Sequence, residues 1–419
     1  MTRTGALAQL LGSLFDTREL RTFLARHEGT ARLVTAVNFD RPLDEVCQLV
    51  AEQLERKGLA DGAFFASLEV VVPRRAAAIQ AVARRWIAEP DEMAMPAPPA
   101  VGPARILHLS DLHARPRTAW DSQPLLIRLV GAVEELVKQG LGPDLIAITG
   151  DLAFSGQEEE YRLVEAWLRT ELLPAAGLTP SELLIVPGNH DVDRRACRSV
   201  VVQAVEQRLL RGDQSAVAEV FGDDAQRQLI HARYAEYLAF LKRLGVPHPA
   251  APSWSLAREV RGVPLRFAGL DTAWLASGDD TQGRLVLGLA PVNAVVPTLR
   301  GGDPTLVVAL AHHPLSWLAQ WDHRAVWPVL RARAHVLLRG HLHDPDYTQL
   351  YSPQQSFLEL PAGACYDGHA WPMSFQLVEI DPAAGQVRVH LRSWNTSWDR
   401  WVPERTLLPP DGVATFSLG

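Results

Sequence analysis

Residues 104–113, ARILHLSDLH, set the pattern on which the fold is read: a short apolar run closes on Asp and His. The same grammar returns in DLIAITGD (144–151), LLIVPGNHD (183–191), TLVVALAHHP (305–314) and HVLLRGHLH (335–343). Runs of four to seven apolar residues bounded by Gly, Pro, Asn and Asp read as buried strands. Strands are expected over 105–109, 144–149, 183–186, 265–270, 305–311 and 335–338, with helices over 124–139 and 158–172 between them. Alternation of this kind predicts an α/β layered fold. Two late runs, 374–380 and 386–391, are split by DPAAG and predict an antiparallel pair closing a sheet.

In layered α/β folds, ligands gather at the carboxyl ends of strands. Asp111, His113, Asp151, Asn189, His190, Asp191, His312, His341 and His343 each follow one of the five runs, so one pocket should collect them. Carboxylates and imidazoles without a thiolate suit Mn, Fe, Zn or similar ions. The donors outnumber what one ion needs. Two ions about 3.5–4 Å apart, sharing a carboxylate, would use them. Asp-x-His and His-x-His at alternate strand positions point both side chains to one face. Gly150, Gly188 and Gly340 allow the backbone to turn where a donor must project. His313, beside His312, reads either as a ligand's neighbour that orients it or as a core histidine.

Outward from these runs, the chain has 419 residues, enough for two domains. Its composition, 47% apolar and 21% charged, is ordinary for a globular protein. Residues 89–103, EPDEMAMPAPPAVGP, carry five prolines and no apolar periodicity, and predict a linker. The expected division is therefore a helical domain over 1–88, the linker, and an α/β domain over 104–419 with a helical insertion at 194–260. Up to Trp86 there are 12 Lys and Arg against 10 Asp and Glu; beyond it, 29 against 38. The acidic second part argues against broad electrostatic capture of nucleic acid. Cys47, Cys197 and Cys365 are scattered and form no CxxC pair. That argues against a disulfide framework and for a reducing cytoplasm. No apolar run is long enough for a membrane span, and no signal peptide is read.

Before the linker, Asp16 and Glu19 make a helix-capping signal ahead of Leu20, Phe23 and Leu24. Val46, Val50 and Leu54 repeat the helical spacing, with Gly58 placed to stop that helix. Asp61 can cap a helix carrying Phe64, Phe65 and Leu68, and Pro73 suits a first turn ahead of Ile79, Val82 and Trp86. No polar chemistry clusters in this region. It reads as a structural appendage or as a docking module.

The ordered set D-L-H, G-D, G-N-H-D, a strand-end His and G-H-L-H resembles the calcineurin-like metallophosphoesterase superfamily, over residues 104 to about 400. The resemblance implies an αββα sandwich, a binuclear centre and hydrolysis of phosphoesters. It implies that Asp111, His113, Asp151 and His343 hold one ion. Asp151 would bridge to a second, held with Asn189, His312 and His341. Mn is the favoured ion, with Fe, Zn, Ni or Mg as alternatives. His190 would stay off the metals and face the substrate. The family often has G-D-x-x-D, whose second Asp orients that His, and here Phe154 stands in its place. Either Asp191 or Asp271 is then expected to orient His190, and Asp191 is carried as a catalytic candidate. Asp271 reads alternatively as a cap.

LLGSLFDTRELRTFL (10–24), PLDEVCQLVAEQLERKGL (42–59) and FFASLEVVVPRRAAAIQAVARRW (64–86) resemble the effector-associated, death-like domains of bacterial conflict systems. That resemblance implies a protein partner carrying a similar helical domain, in a defence or signalling pathway. The functional expectation is a phosphodiesterase acting on a nucleotide, cyclic nucleotide or nucleic-acid end. A phosphoprotein or small-molecule phosphomonoesterase, and an adaptor with an inert metal site, are the alternatives. Tyr234, Tyr237, Phe240 and Trp254 in the insertion would serve either as base-stacking surfaces or as its core.

Overall fold

In a computed structural model of the chain, the described residues are 3–27, 30–31, 33–57, 59–87, 102–196, 200–276, 278, 281–344, 346–352, 356–366, 373–409 and 411–418. Gly58, Cys197 and positions 89–101 of the expected linker lie outside them. The chain divides into two compact units, Met1–Pro98 and Pro99–Gly419.

Among the described residues, the first unit holds six α-helices: α1 (Arg3–Leu14), α2 (Thr17–Arg26), α3 (Leu33–Ala36), α4 (Leu43–Arg56), α5 (Gly62–Val71) and α6 (Ala76–Ile87). The Asp16 carboxylate accepts from the Glu19 amide at 2.7 Å, and Glu19 accepts from the Asp16 amide at 2.9 Å. The two orphan donors at the start of α2 are thereby satisfied reciprocally. Asp61 caps α5 through the Phe64 amide. Leu20, Phe23 and Leu24 pack with Val46, Val50, Leu54, Phe64, Phe65, Leu68 and Ile79 in one buried cluster.

The described residues of the second unit form two sheets. In the first, β1 (Ala104–Leu109), β2 (Leu145–Thr149) and β3 (Leu183–Val186) run parallel. In the second, β4 (Trp254–Val260) pairs antiparallel with β5 (Val263–Gly269), which continues in parallel to β6 (Leu306–Leu310) and β7 (Val336–Arg339). The second sheet then runs on through β9 (Ser356–Pro361) to the edge strand β8 (Thr348–Tyr351). The first continues from β1 through β10 (Ser374–Asp381) and β11 (Gln386–Asn395), with β12 (Arg400–Pro403) and β13 (Val413–Ser417) both on β11. β10 and β11 are the expected closing pair.

Alternation along each strand explains the stacking. Ile106, Leu145, Ala147, Leu184 and Val186 pack with Val308, Leu310, Val336 and Leu338 of the other sheet. Their neighbours Leu107, Ile146, Ile148, Leu183 and Ile185 face α7 (Ala119–Lys138) and α8 (Glu158–Trp167), while Val307, Ala309 and Leu337 share that outer cluster with Val292, Val326 and Leu330. A strand buried on both faces must be apolar at every position, which is why the runs read as continuous.

The expected helical insertion over 194–260 is shorter than that. Helices run from Val200 to Leu244, and Trp254–Val260 is strand β4. Tyr234, Tyr237, Phe240 and Trp254 are buried; they are core, and no base can stack on them. Among the described residues, no helix is long and apolar enough to cross a membrane.

Candidate active site

The ends of β1, β2, β3, β6 and β7 meet at one edge of the sandwich because their backbones keep pairing beyond the strands. The Leu112 and His113 amides donate to the Asp151 carbonyl at 2.9 Å. The Ala311 amide donates to Leu338, and Gly340 to His312. Tyr366 donates to the Asp111 carbonyl, joining the loop after β9 to the end of β1.

Two groups of donors result. In one, Asp111 Oδ1 lies 3.1 Å from His343 Nε2 and 3.7 Å from His113 Nε2. In the other, His312 Nε2 lies 3.3 Å from Asp151 Oδ2, 3.2 Å from Asn189 Oδ1 and 3.1 Å from His341 Nδ1. Asp151 Oδ2 is also 4.0 Å from His113 Nε2, so this one oxygen faces both groups. All seven candidate ligands are therefore brought together. Asp111 Oδ1 is buried and faces the imidazole nitrogens of His343 and His113, as an oxygen sharing a cation with them would. His312 Nδ1 faces the Thr149 carbonyl at 2.7 Å. That contact holds a proton on Nδ1 and leaves Nε2 as the ring atom that faces Asp151 and Asn189. The donor set is nitrogen and oxygen throughout, and it fits divalent cations of the Mn, Fe, Zn, Ni or Mg kind.

The backbone is bent to reach this arrangement. Asp111, His113, Asp151, His341 and His343 all have positive φ, between 43° and 76°. The glycines are needed for space more than for rotation. A Cβ on Gly188 would stand 2.1 Å from Asp151 Oδ1, and one on Gly340 would stand 1.9 Å from Ser110 Oγ. Only Gly150 among the three combines a close approach, 2.6 Å to His312 Nδ1, with a φ of +91°.

Electrostatics follow from the crowding. Burial alone would raise both carboxyls, yet His312 and His190 beside Asp151, and His343 beside Asp111, hold them well below the usual range. Burial works against a charged His312, but Asp151 lifts it to about 9. Burial together with the neighbouring His312 pushes His341 down to about 3. The site is an acidic basin that gathers positive charge.

His190 is held otherwise than expected. Its Nδ1 lies 2.6 Å from the Phe154 carbonyl, and its amide donates to Asp151 Oδ1 at 2.8 Å. Phe154 thus orients the imidazole through its backbone, which is what the missing Asp would have done through a side chain. Asp191 faces elsewhere. Its carboxylate accepts from the amides of Gly188, Ala153 and Leu152 and from the Tyr161 hydroxyl, at 2.9 to 3.3 Å. It braces the loops after β2 and β3, and burial, with the charge of Asp151, pushes it up to about 6. Asp271 is a cap, accepting from the Tyr234 hydroxyl and the Ala273 amide. His313 is fully buried, with Nδ1 2.9 Å from Thr272 Oγ1 and its ring 4.5 Å from that of His341, which it props. Two contacts escape sequence reading. A carbonyl acceptor such as Phe154 carries no sequence signal. Arg194, whose Nη2 lies 3.3 Å from His190 Nε2, has only its spacing of four from His190 to recommend it.

The family model for calcineurin-like phosphoesterases matches residues 104–345. The chain belongs to that family, whose members hydrolyse phosphoester bonds and typically bind a dinuclear metal centre. It is 22% identical over 309 residues to the metallophosphoesterase-like protein YydB of Bacillus subtilis (strain 168), covering 71% of this chain and 61% of that one. It is 37% identical over 99 residues to a cAMP/cGMP dual specificity phosphodiesterase of Mycobacterium tuberculosis (strain CDC 1551 / Oshkosh), covering 23% and 30%. The chain thus spans less than two thirds of either relative. Among solved structures it is similar to the sulfate thiohydrolase SoxB of Thermus thermophilus, at 13% identity, 67% and 54% coverage and a TM-score of 0.34. It is also similar to a conserved protein from Streptococcus pneumoniae TIGR4 described as a predicted phosphoesterase, at 16% identity, 76% and 99% coverage and a TM-score of 0.29.

Proposed function

We propose that the chain is a two-metal phosphodiesterase acting on a nucleotide, a cyclic nucleotide or a nucleic-acid end. In this reading Asp111, His113, Asp151 and His343 hold one ion, and Asp151, Asn189, His312 and His341 hold the other, with Mn favoured. The observation that carries it is the position of Asp151 Oδ2, which faces His312 at 3.3 Å and His113 at 4.0 Å. When bound, the cations supply Lewis-acid neutralisation of the phosphoryl charge and lower the pKa of water at the site.

The remaining work falls to the chain. With His190 Nδ1–H held by the Phe154 carbonyl, Nε2 is left to the substrate, where in the protonated ring it donates to a phosphoryl oxygen or to the leaving group. His113 stands edge-on to His190, with ring centroids 4.8 Å apart, so this nitrogen borders the ligand cluster. Asp191 keeps the Gly188–Asn189–His190 turn in register with the loop after β2. The 99-residue likeness to a cyclic-nucleotide phosphodiesterase supports the diesterase choice.

The first unit serves in this proposal as a docking module for a partner with a similar helical domain, in a bacterial defence or signalling pathway. Its support is a self-contained buried core drawn from α1 to α6, together with the resemblance described above.

The test is metal analysis of chain purified without chelator, with hydrolysis of bis(p-nitrophenyl) phosphate compared with p-nitrophenyl phosphate under Mn. Two bound ions per chain and faster turnover of the diester are expected. A chain that retains no transition metal and hydrolyses neither ester would sink the proposal.

A further inference from the structure

The two sheets share the donors of the site. Asp111, His113, Asp151 and Asn189 follow strands of the first, and His312, His341 and His343 follow strands of the second. Each proposed ion draws on both. Metal–ligand distances tolerate about 0.2 Å, so the sheets must meet at this end with one fixed offset. Apolar burial holds sheets together but has no direction. A fixed offset calls for hydrogen bonds.

A row of polar side chains crosses the first sheet where they are needed. Gln376 of β10 and His108 of β1 are cross-strand partners, and Thr149 closes β2 on the other side of β1. All three are fully buried. Two residues back along each strand stand Val378, Ile106 and Ala147, which belong to the apolar cluster between the sheets. The Pro361 carbonyl, at the end of β9, can only accept, and it thereby orients the Gln376 amide. Nε2 donates to Pro361 at 3.2 Å and to His108 Nδ1 at 2.8 Å, and Oε1 accepts from the Tyr347 hydroxyl at 2.8 Å. Since His108 Nδ1 accepts, its proton is on Nε2, which donates to Thr149 Oγ1 at 2.9 Å. The carbonyl of the same threonine meets His312 Nδ1 at 2.7 Å and the Ser110 hydroxyl at 3.1 Å.

The row is a seam between the sheets. Gln376, His108 and Thr149 lie on the first, while Pro361, Tyr347 and His312 stand at strand ends of the second. Tyr347 directly precedes β8, at the end of the loop that carries His341 and His343. Backbone bonds also cross here, from the Cys365 and Tyr366 amides to the Ser110 and Asp111 carbonyls. Those hold the loop after β9; they involve neither His312 nor Tyr347.

We infer that Gln376 is a positioning residue for the metal centre: as the hub of this seam it sets the offset of the two sheets at the site, and with it the distances between the donors that each sheet supplies. It touches neither substrate nor ligand. The inference rests on the two-metal reading above and names what holds its two halves in register.

The test is Mn binding to the full chain by equilibrium dialysis, with electron paramagnetic resonance of the bound ions, whose spin coupling reports their separation. Gln376→Leu keeps the size of the side chain and removes the bridge. Tyr347→Phe removes one hydroxyl at a half-buried position, a change the fold tolerates. Mn affinity should fall about ten- to a hundredfold in Gln376→Leu, the range for losing a ligand's support, and less in Tyr347→Phe, with the spin-coupled signal altered in both. Tyr347→Phe added to Gln376→Leu should change nothing further, because the shared contact is already gone. Val378→Ala, on the same face of β10, is the control. It opens a cavity in the core between the sheets and lowers stability, and should keep Mn affinity and signal. Folded Gln376→Leu with wild-type affinity and signal overturns the inference. So does a Val378→Ala chain that loses Mn as far as Gln376→Leu does, since the effect would then be one of stability. If Gln376→Leu does not fold, Tyr347→Phe decides, and wild-type affinity and signal in it overturn the inference. A wild-type chain that binds fewer than two Mn ions overturns the two-metal reading instead, so the two failures are distinguishable.

Discussion

Replacing Gly188 by Ala tests the site through a single steric contact. Gly188 has φ −108° and ψ −175°, an extended conformation open to any L residue, so the change adds no backbone strain. What it adds is a methyl carbon 2.1 Å from Asp151 Oδ1, 2.6 Å from the Asp151 amide nitrogen and 2.8 Å from its carboxyl carbon. Ordinary heavy-atom contacts lie near 3.5 Å, so the carboxylate or the turn must retreat by about 1 Å. Metal–ligand distances tolerate about 0.2 Å, several times less than that retreat. Asp151 faces both donor groups, so both cations should be lost, where a peripheral change would weaken one. Metal affinity should fall at least about a hundredfold, the upper range for disturbing a ligand's support. Overpacking should cost about 1–3 kcal/mol of stability. The assay is metal content, diester turnover and thermal unfolding on one preparation. Gly131→Ala serves as the control. It lies exposed on α7 with nothing within 4 Å of its new carbon, and should gain about 0.5–1 kcal/mol. A folded Gly188→Ala chain with both ions and wild-type turnover would refute the reasoning.

Asp191→Ala should cost several kcal/mol of stability, since buried groups stripped of their acceptor cost about 1–3 kcal/mol each before relaxation; its activity loss should track unfolding in a denaturant titration. A variant as stable as wild type but without turnover would restore Asp191 to catalysis. Stability should also fall on mild acidification. Burial pushes His108 down to about 3 and His248 down to about 4. The unfolded chain takes up protons below about pH 6.5 that the folded chain refuses, so each ring removes about 2 kcal/mol by pH 5. Urea unfolding from pH 7 to pH 5 measures this, and a His108→Gln variant with the same pH slope as wild type would exclude that ring as a source.

What could be read from the sequence, and what could not, divides along physical lines. The strands buried on both faces were legible, because two-sided burial leaves continuous apolar runs. Trp254–Val260 reads as part of the insertion because its interior, SLARE, is at most half-buried and carries no continuous apolar run, as befits an edge strand. β8 and β12 are four residues each, too short to stand out, and β8 is polar and only partly covered. The candidate ligands are legible because donors of the right kind sit in order at the ends of runs. The orientation of His190 was not, since every residue carries a carbonyl and nothing marks Phe154 as the one that accepts. Asp191 is a related case: sequence places a carboxylate next to a histidine but does not say whether it faces a ring or a set of amides.

Backbone conformation explains why the donors are the residues they are. Among the described residues, seven non-glycine positions have positive φ, and five of them are Asp111, His113, Asp151, His341 and His343. A residue held there costs on the order of 1–3 kcal/mol, and Asp, Asn and His are the side chains that tolerate it best. The donors a hard or borderline cation requires are thus also the residues the sharp strand-end turns permit. Exchange for a donor of similar chemistry fails on the second count. Asp111→Glu keeps a carboxylate, but it asks a residue less suited to left-handed backbone to hold φ at 56° and adds a methylene beside Gly340, where Asp111 Oδ2 is already 2.7 Å from the place of a Cβ. The turns, the glycines and the donors therefore form one constraint, and a change in any of the three is felt at Asp151 or Asp111.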